Sequence, residues 1–322
     1  MDGITGSVTL VGDVGGTNCR LALAERNSLG TIELHHTERF AVKDYKHFND
    51  VVSEYLSHQD AKPSRAAFAF AGPKFDDEIR MTNVDWIVSE GNLIKTFGFK
   101  EAVVLNDFVA MARGATVITD DGFETLIPGK VNDNAPFAVL GPGTGLGVSC
   151  ILPGSPPRII PTEGGHTAFT PQNYIEIEVL SYWLNKLGYV SAETLISGPG
   201  LYRLYTALCE IEDHKLVCAR EDEIVAAAKA DPNSIARKTV VMFCNILGTF
   251  AGNTAFTMGA LGGVVLAGGV TRHISPFIAE SDFKTRLRQR GHGSWFIQDI
   301  PVRLMTAQFV ALYGAAAMVL EH

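Results

Sequence analysis

Residues 10–24 read LVGDVGGTNCRLALA, and residues 138–152 read AVLGPGTGLGVSCIL. Each is an apolar run of strand type, a turn rich in glycine with one threonine, and a second apolar run, so each predicts a β-hairpin. One device used twice points to an α/β chain with two related halves. Neither turn is a Walker loop: the chain has no GxxxxGK[ST], and its Gly129-Lys130 pair is followed by Val131. Neither is a dinucleotide fingerprint, because a strand follows where that motif needs a helix. Glycine tolerates positive φ and lets phosphate oxygens approach successive N–H groups, while Thr17 and Thr144 add hydroxyl donors. Tight hairpins favour glycine in any case, so one such turn alone would carry little. The repetition, with Asp13 at the exit of the first strand, favours phosphate binding. Asp13 is a candidate for holding magnesium through water, or for capping the turn.

Between the hairpins, "RAAFAFAG" and "EAVVLND" are continuous apolar runs of parallel-strand character. The second ends in Asn106-Asp107, and a helix from about Phe108 to Ala115 is expected to follow. A carboxylate at that junction costs several kcal/mol if it is desolvated without use or partner. It serves either as the helix cap or as a working acid–base group. "FNDVVSEYLSHQ" has helical spacing, and further helices are expected at "YIEIEVLSYWLNKLG", "PGLYRLYTALCEI", "EDEIVAAAKA" and the terminal "AQFVALYGAAAMVLEH".

The 322-residue chain carries a net charge of -8, which argues against a nucleic-acid partner. Five dispersed cysteines without a CxxC pair suit reduced thiols in the cytoplasm and offer no zinc ribbon. The N-terminus lacks the basic head and apolar block of a signal peptide. Residues 239–271 contain no charged residue and mimic a membrane span. Asn245, Thr249, Asn253 and Thr257 form a polar stripe there and Gly-Gly pairs interrupt the run, so a buried soluble helix followed by the strand "GVVLAGGV" is expected, with no membrane partner. Lys284, Arg286, Arg288, Arg290 and His292 concentrate positive charge and read as a solvated helix face.

"GDVGGTNCRLAL", "LNDFVAMA", "GPGTGLGV", "EGGHTAF", "SAETLISGPG" and "VVLAGGV" occur in the order seen in bacterial-type glucokinases, and the chain resembles that family from about residue 9 to its last helix. The resemblance implies the α/β actin-like ATPase (ribonuclease H-like) fold of the hexokinase superfamily. Residues 1–115 with 306–322 would form a small domain and 116–305 a large one, closing over sugar and ATP. Asn106, Asp107, Glu163, His166 and Glu193 would line glucose, with Gly145 and Thr144 between sugar and phosphate. Gly12, Asp13, Gly15, Gly16, Thr17, Asn18, Gly143 and Thr144 would carry ATP and Mg2+, Gly268 and Gly269 the adenosine. Asp107 would take the proton of the 6-hydroxyl, its ordinary acidity sufficing. "MTNVDW" (Thr82, Asn83, Trp86) also matches and would shape a pocket wall. The family further implies a homodimer.

Each site residue has a blander reading. Glu193 is placed to serve as an early helix residue behind a Ser191 cap, and a lone histidine such as His166 is usually structural. Rival functions are a kinase for mannose or fructose, a non-catalytic glucose sensor, and a sugar-responsive regulator, which would need a DNA-binding extension. No cysteine follows His166 in "TAFTPQNYIEIEVL", so the structural zinc of a related sugar-kinase group is not expected. The last helix also lacks the proline–glycine pair that the family places before it.

Overall fold

Period-two alternation builds a sheet with two buried faces. Leu10, Leu21, Leu23 and Phe68 turn to one face, against the helix Phe48–Ser57. Val11, Ala22, Ala24 and Ala67 turn to the other, against Leu312, Ala315 and Ala316 of the helix Val310–Leu320. Burying each of the larger side chains contributes about 1.5–3 kcal/mol. The computed structural model describes residues 8–81 and 84–321; Thr82 and Asn83 of "MTNVDW" lie outside the described residues. The chain divides into two units, Met1–Gly122 with Ser155–Ile159 and Ala307–His322, and Phe123–Gly154 with Ile160–Thr306.

In the first unit the strand Thr9–Val14 lies at the centre of five. It pairs antiparallel with Asn18–Arg26, which pairs in turn with Ile32–Ala41. On its other side run Arg65–Phe70 and Glu101–Asn106, both parallel to it. The second unit repeats this order. Phe137–Pro142 pairs antiparallel with Leu146–Leu152 and parallel with Gly263–Leu266, which is parallel to Val302–Met305. Arg158–Thr162 and Phe123–Ile127 complete its two edges. The two quoted stretches are therefore the first hairpin of each sheet, and the parallel strands beside them end at the same edge as their turns.

The charge-free stretch begins in a helix, Ile235–Met258, capped by the Ser234 hydroxyl at its N-terminus and by Gly259 in the left-handed region at its C-terminus. It is long and apolar enough to cross a membrane, yet 78% of its most apolar stretch is buried within the fold. Phe243, Cys244, Leu247 and Ala251 lie in the core of the second unit, as a buried helix requires.

The basic segment is only partly the solvated face that its charge suggests: Lys284 and His292 are exposed, but Arg286 and Arg290 turn inward. Arg286 Nη1 lies 2.7 Å from Oε1 of Glu176, whose side chain is 1% exposed. Arg290 donates to the carbonyls of Thr249 and Arg286, both at 2.7 Å. Gly248 and Gly252 open the long helix to this segment: a β-carbon at Gly252 would collide with the Arg290 guanidinium, and one at Gly248 with the Phe283 backbone. Guanidinium groups replace solvent as partners for helix carbonyls.

Before the last helix, in place of a proline–glycine pair, Phe309 takes the left-handed conformation at φ 58°. For a residue with a β-carbon this costs about 1–2 kcal/mol. Its carbonyl accepts the first helical bonds, from the N–H groups of Leu312 and Tyr313. Val310–Leu320 then packs tightly on the helix Asp107–Gly114. A β-carbon on Gly314 would overlap the Ala110 carbonyl, and one on Gly114 the Val310 carbonyl.

Candidate active site

Asp107 is the first residue of its helix and not the cap. Asn106 is the cap: its Oδ1 accepts from the N–H groups of Phe108 (2.9 Å) and Val109 (3.2 Å), and its Nδ2 donates to the Gly72 carbonyl at 3.1 Å. With capping assigned to its neighbour, Asp107 is left with one hydrogen bond to its carboxylate from a following amide, Phe108 N–H to Oδ1 at 2.8 Å. Among the described residues it joins no ion pair within 4 Å. Burial pushes its pKa up, the nearby Asp13 pushes it further, and the two together carry it to about 6. The ordinary acidity expected from sequence is therefore corrected, yet the group remains ionised at neutral pH. The helix beneath it is fixed from behind, since Arg113, 3% exposed, pairs with Glu321, and Glu321 also lies 3.4 Å from Arg26.

Asp13 stands one residue before the end of its strand, opposite Arg20, whose Nη1 is 3.4 Å from Oδ2. Burial raises its pKa and the Arg20 charge opposes that rise. Past it the turn opens. Gly15 and Gly16 are half-buried and Thr17 is exposed. Asn18 begins the return strand with its Oδ1 engaged by Arg39 at 2.8 Å. Gly12 lies inside the sheet: a β-carbon there would stand 2.7 Å from the Phe68 ring and 2.9 Å from Leu21. Trp86 is also a core residue, stacked at an angle on Phe48 and donating its indole N–H to Lys46.

In the second unit the corresponding turn is Gly143-Thr144-Gly145. None of Gly15, Gly143 and Gly145 adopts positive φ, so the expected conformational reason for glycine does not hold, and at Gly145 alone space takes its place. A β-carbon on Gly145 would stand 2.6 Å from Oε2 of Glu193, while the same direction at Gly143 is open. The Gly143 carbonyl accepts from Gly198 N–H at 2.7 Å, which sets the turn against the start of the helix Gly198–Ile211. Gly268, at φ 88°, passes so close under Pro142 that only glycine fits, and Gly269 opens the helix Gly269–Ile278 with nothing within 4 Å of its β-position.

Glu193 sits in the short helix Ala192–Leu195, capped by Ser191. It does more than favour that helix end: its Oε2 accepts from Leu146 N–H at 2.7 Å, which fixes it to the hairpin. Its Oε1 is 3.9 Å from Nδ1 of His166, and Nε2 of His166 is 3.8 Å from Glu163. The two glycines of Glu163-Gly164-Gly165-His166 explain the grouping. Gly165 lies so close to the Leu146 carbonyl that a β-carbon would overlap it, and one on Gly164 would stand 3.1 Å from Val148. The turn thus lies flat on the strand and presents Glu163 and His166 as exposed side chains. Two carboxylates and an imidazole so placed can accept and donate to a polyol. Sequence reasoning passed over Arg113, Arg20 and Leu146 N–H, which position these groups and carry no motif of their own.

The chain has well-matched relatives. The glucokinase family model matches residues 10–322. A glucokinase from Hahella chejuensis is 38% identical over 309 residues, covering 95% of each chain, and one from Saccharophagus degradans is 36% identical over 310 residues, 96% of this chain and 97% of that one. Among solved structures, a glucokinase from an Antarctic psychrotroph superposes with a TM-score of 0.89 at 30% identity over 98% of this chain and 99% of that one. With its two large sheets sharing one strand order, this is the actin-like ATPase architecture that the resemblance implied. The chain belongs to the glucokinase family.

Proposed function

We propose that this chain transfers the γ-phosphoryl group of ATP to the 6-hydroxyl of glucose, giving glucose 6-phosphate for glycolysis. The observation that carries the reading is Asp107, a largely buried carboxylate at the carboxyl end of a parallel strand, with a pKa of about 6 and, among the described residues, no ion-pair partner to hold its charge. It orients the hydroxyl and accepts its proton while the oxygen forms a bond to phosphorus. The bond from phosphorus to the bridging oxygen breaks, and ADP leaves. Glu163, His166, Glu193 and Asn106 bind the sugar hydroxyls. The two turns, with Thr17, Asn18 and Thr144, receive the phosphates, and Gly268 and Gly269 receive the adenosine.

Asp13 fits a hydrated magnesium ion: it offers a hard oxygen donor at the strand exit, and the Arg20 contact, at 3.4 Å, falls on Oδ2. Magnesium bound with ATP would offset charge developing on the transferred phosphoryl group. The free, buried cysteines support residence in the reducing cytoplasm. We infer a homodimer, and no nucleic-acid or membrane partner.

Purified protein incubated with Mg-ATP and a panel of hexoses is expected to release ADP with glucose at far higher kcat/KM than with mannose or fructose. Turnover confined to another hexose would replace the substrate, and glucose binding without turnover would make the protein a sensor. Gly145→Ala tests the sugar contacts. Its methyl group displaces the Glu193 carboxylate, so KM for glucose is expected to rise roughly tenfold or more, the loss of one good polar contact. An unchanged KM would remove Glu193 from the sugar site.

A further inference from the structure

The outer hairpin of the first sheet carries a group of side chains that phosphoryl transfer does not use. Glu25 and Glu33 occupy directly opposed positions on the antiparallel strands Asn18–Arg26 and Ile32–Ala41. His35, two residues beyond Glu33, projects from the same face. One donor atom from each of the three lies within 4.8 Å of the other two. Like charges directly opposed across a ladder destabilise it unless a cation lies between them.

We propose that Glu25, Glu33 and His35 form a binding site for a transition-metal dication of the Zn2+ class. His35 Nε2 is 3.2 Å from Glu25 Oε1 and 3.9 Å from Glu33 Oε2. Tetrahedral zinc with bonds of 2.0–2.1 Å separates its ligands by about 3.3 Å, so small rotations of these side chains would complete three corners. The atoms are not simply paired with one another. Despite its short distance to Glu25, the buried Nε2 makes no hydrogen bond, because the carboxylate lies off the direction of the ring nitrogen. The ring nitrogen is thus left without a hydrogen-bond partner, with an oxygen of each carboxylate within 4 Å of it. Asn27 Nδ2 donates to Glu33 Oε1 at 2.6 Å and leaves Oε2 turned to the histidine, the support from outside that ligating carboxylates commonly have. Imidazole with two carboxylates suits Zn2+, Co2+ or Mn2+, whereas Mg2+ and Ca2+ prefer oxygen alone. The fourth corner is open to water on the half-exposed side of Glu33. Along the strand the trio lies about 20–26 Å from the turn at Thr17, so the ion would brace the hairpin and take no part in phosphoryl transfer.

Chelator-treated full-length protein should be titrated with ZnCl2 by calorimetry and with CoCl2 by visible absorption, and its melting followed with and without Zn2+. The expected result is one strong site per chain, Co2+ bands of four-coordinate intensity, and a Zn2+-dependent rise in melting temperature. All three should be lost in His35→Ala and in Glu25→Gln, weakened about 10- to 100-fold in Asn27→Ala, and retained in the neighbouring His36→Ala. Zn2+ binding equally tight in His35→Ala, or no Zn2+ binding by the folded wild-type protein, overturns the proposal. Stabilisation of the hairpin by acid alone, without response to metal, would make His35 a protonated counter-ion and also overturn it. Glucose phosphorylation by His35→Ala should match wild type, so failure here leaves the kinase reading untouched.

Discussion

Asp107→Asn is expected to lower kcat by about 10²- to 10⁴-fold, the contribution of a general base, while glucose still binds. The amide keeps the shape of the side chain and can still accept from Phe108 N–H at 2.8 Å, so the loss would be chemical and not structural. The wild-type pH profile carries the same information. With the carboxyl near pKa 6, kcat/KM should hold steady above that pH and fall tenfold per unit below it. Stability should move the other way. The folded pKa lies above the ordinary carboxylate value, so the favourable contribution of the protonated group is complete below about pH 4 and lost as pH rises through about 6. At pH 7–8 the buried charge therefore opposes folding, and Asp107→Asn should raise the melting temperature there by the equivalent of about 1 kcal/mol and leave it unchanged at pH 4. Turnover by the variant near the wild-type rate would exclude Asp107 as the base. A variant that loses stability at every pH would show that the carboxylate holds the helix in place.

Removing Glu176 should cost the second unit about 3–5 kcal/mol, the range for breaking a buried ion pair from one side. Its carboxylate accepts from the Gln172 N–H at 2.7 Å and Asn173 Nδ2 at 3.2 Å and forms an ion pair at 2.7 Å with Arg286 Nη1, which lies outside hydrogen-bond geometry, and Arg286 is only 11% exposed. Glu176→Ala strands that guanidinium in the core. A fall of roughly 10 °C in melting temperature is expected for a unit of this size, with little change on adding salt because the pair is shielded. Glu176→Ala combined with Arg286→Met should recover much of the loss, since no charge is then left unpaired. A single variant that melts within about 1 °C of wild type would mean that water reaches Arg286 and that the segment is a surface feature after all.

Much of this protein is legible locally. Both hairpins, the parallel strands and the long buried helix follow from alternation, caps and apolar runs that act within one element. The helices Glu90–Phe97 and Gly269–Ile278 did not stand out. Ser89 and Gly98 do cap the first, but its apolar face is short; Pro276 and the glycines at its start disguise the second. The edge strands Phe123–Ile127 and Arg158–Thr162 are only half apolar and are fixed by pairing. The order of motifs likewise picked out Asp107, Glu163, His166 and Glu193 without revealing how they are held.

The sequence by itself determined the repeated strand–turn–strand frame and which polar residues stand at its ends, because backbone period and turn chemistry are properties of neighbouring residues. Only the tertiary structure decided that Asn106 caps so that Asp107 need not, that Asp13 helps lift the pKa of Asp107 to about 6, that Gly145 is small on account of Glu193, and that Arg286 folds against Glu176 with only 11% of its side chain exposed. Each of these depends on a group distant in the chain or on the loss of water around a charge. Desolvation and close approach belong to the packed structure and have no local signature in the chain.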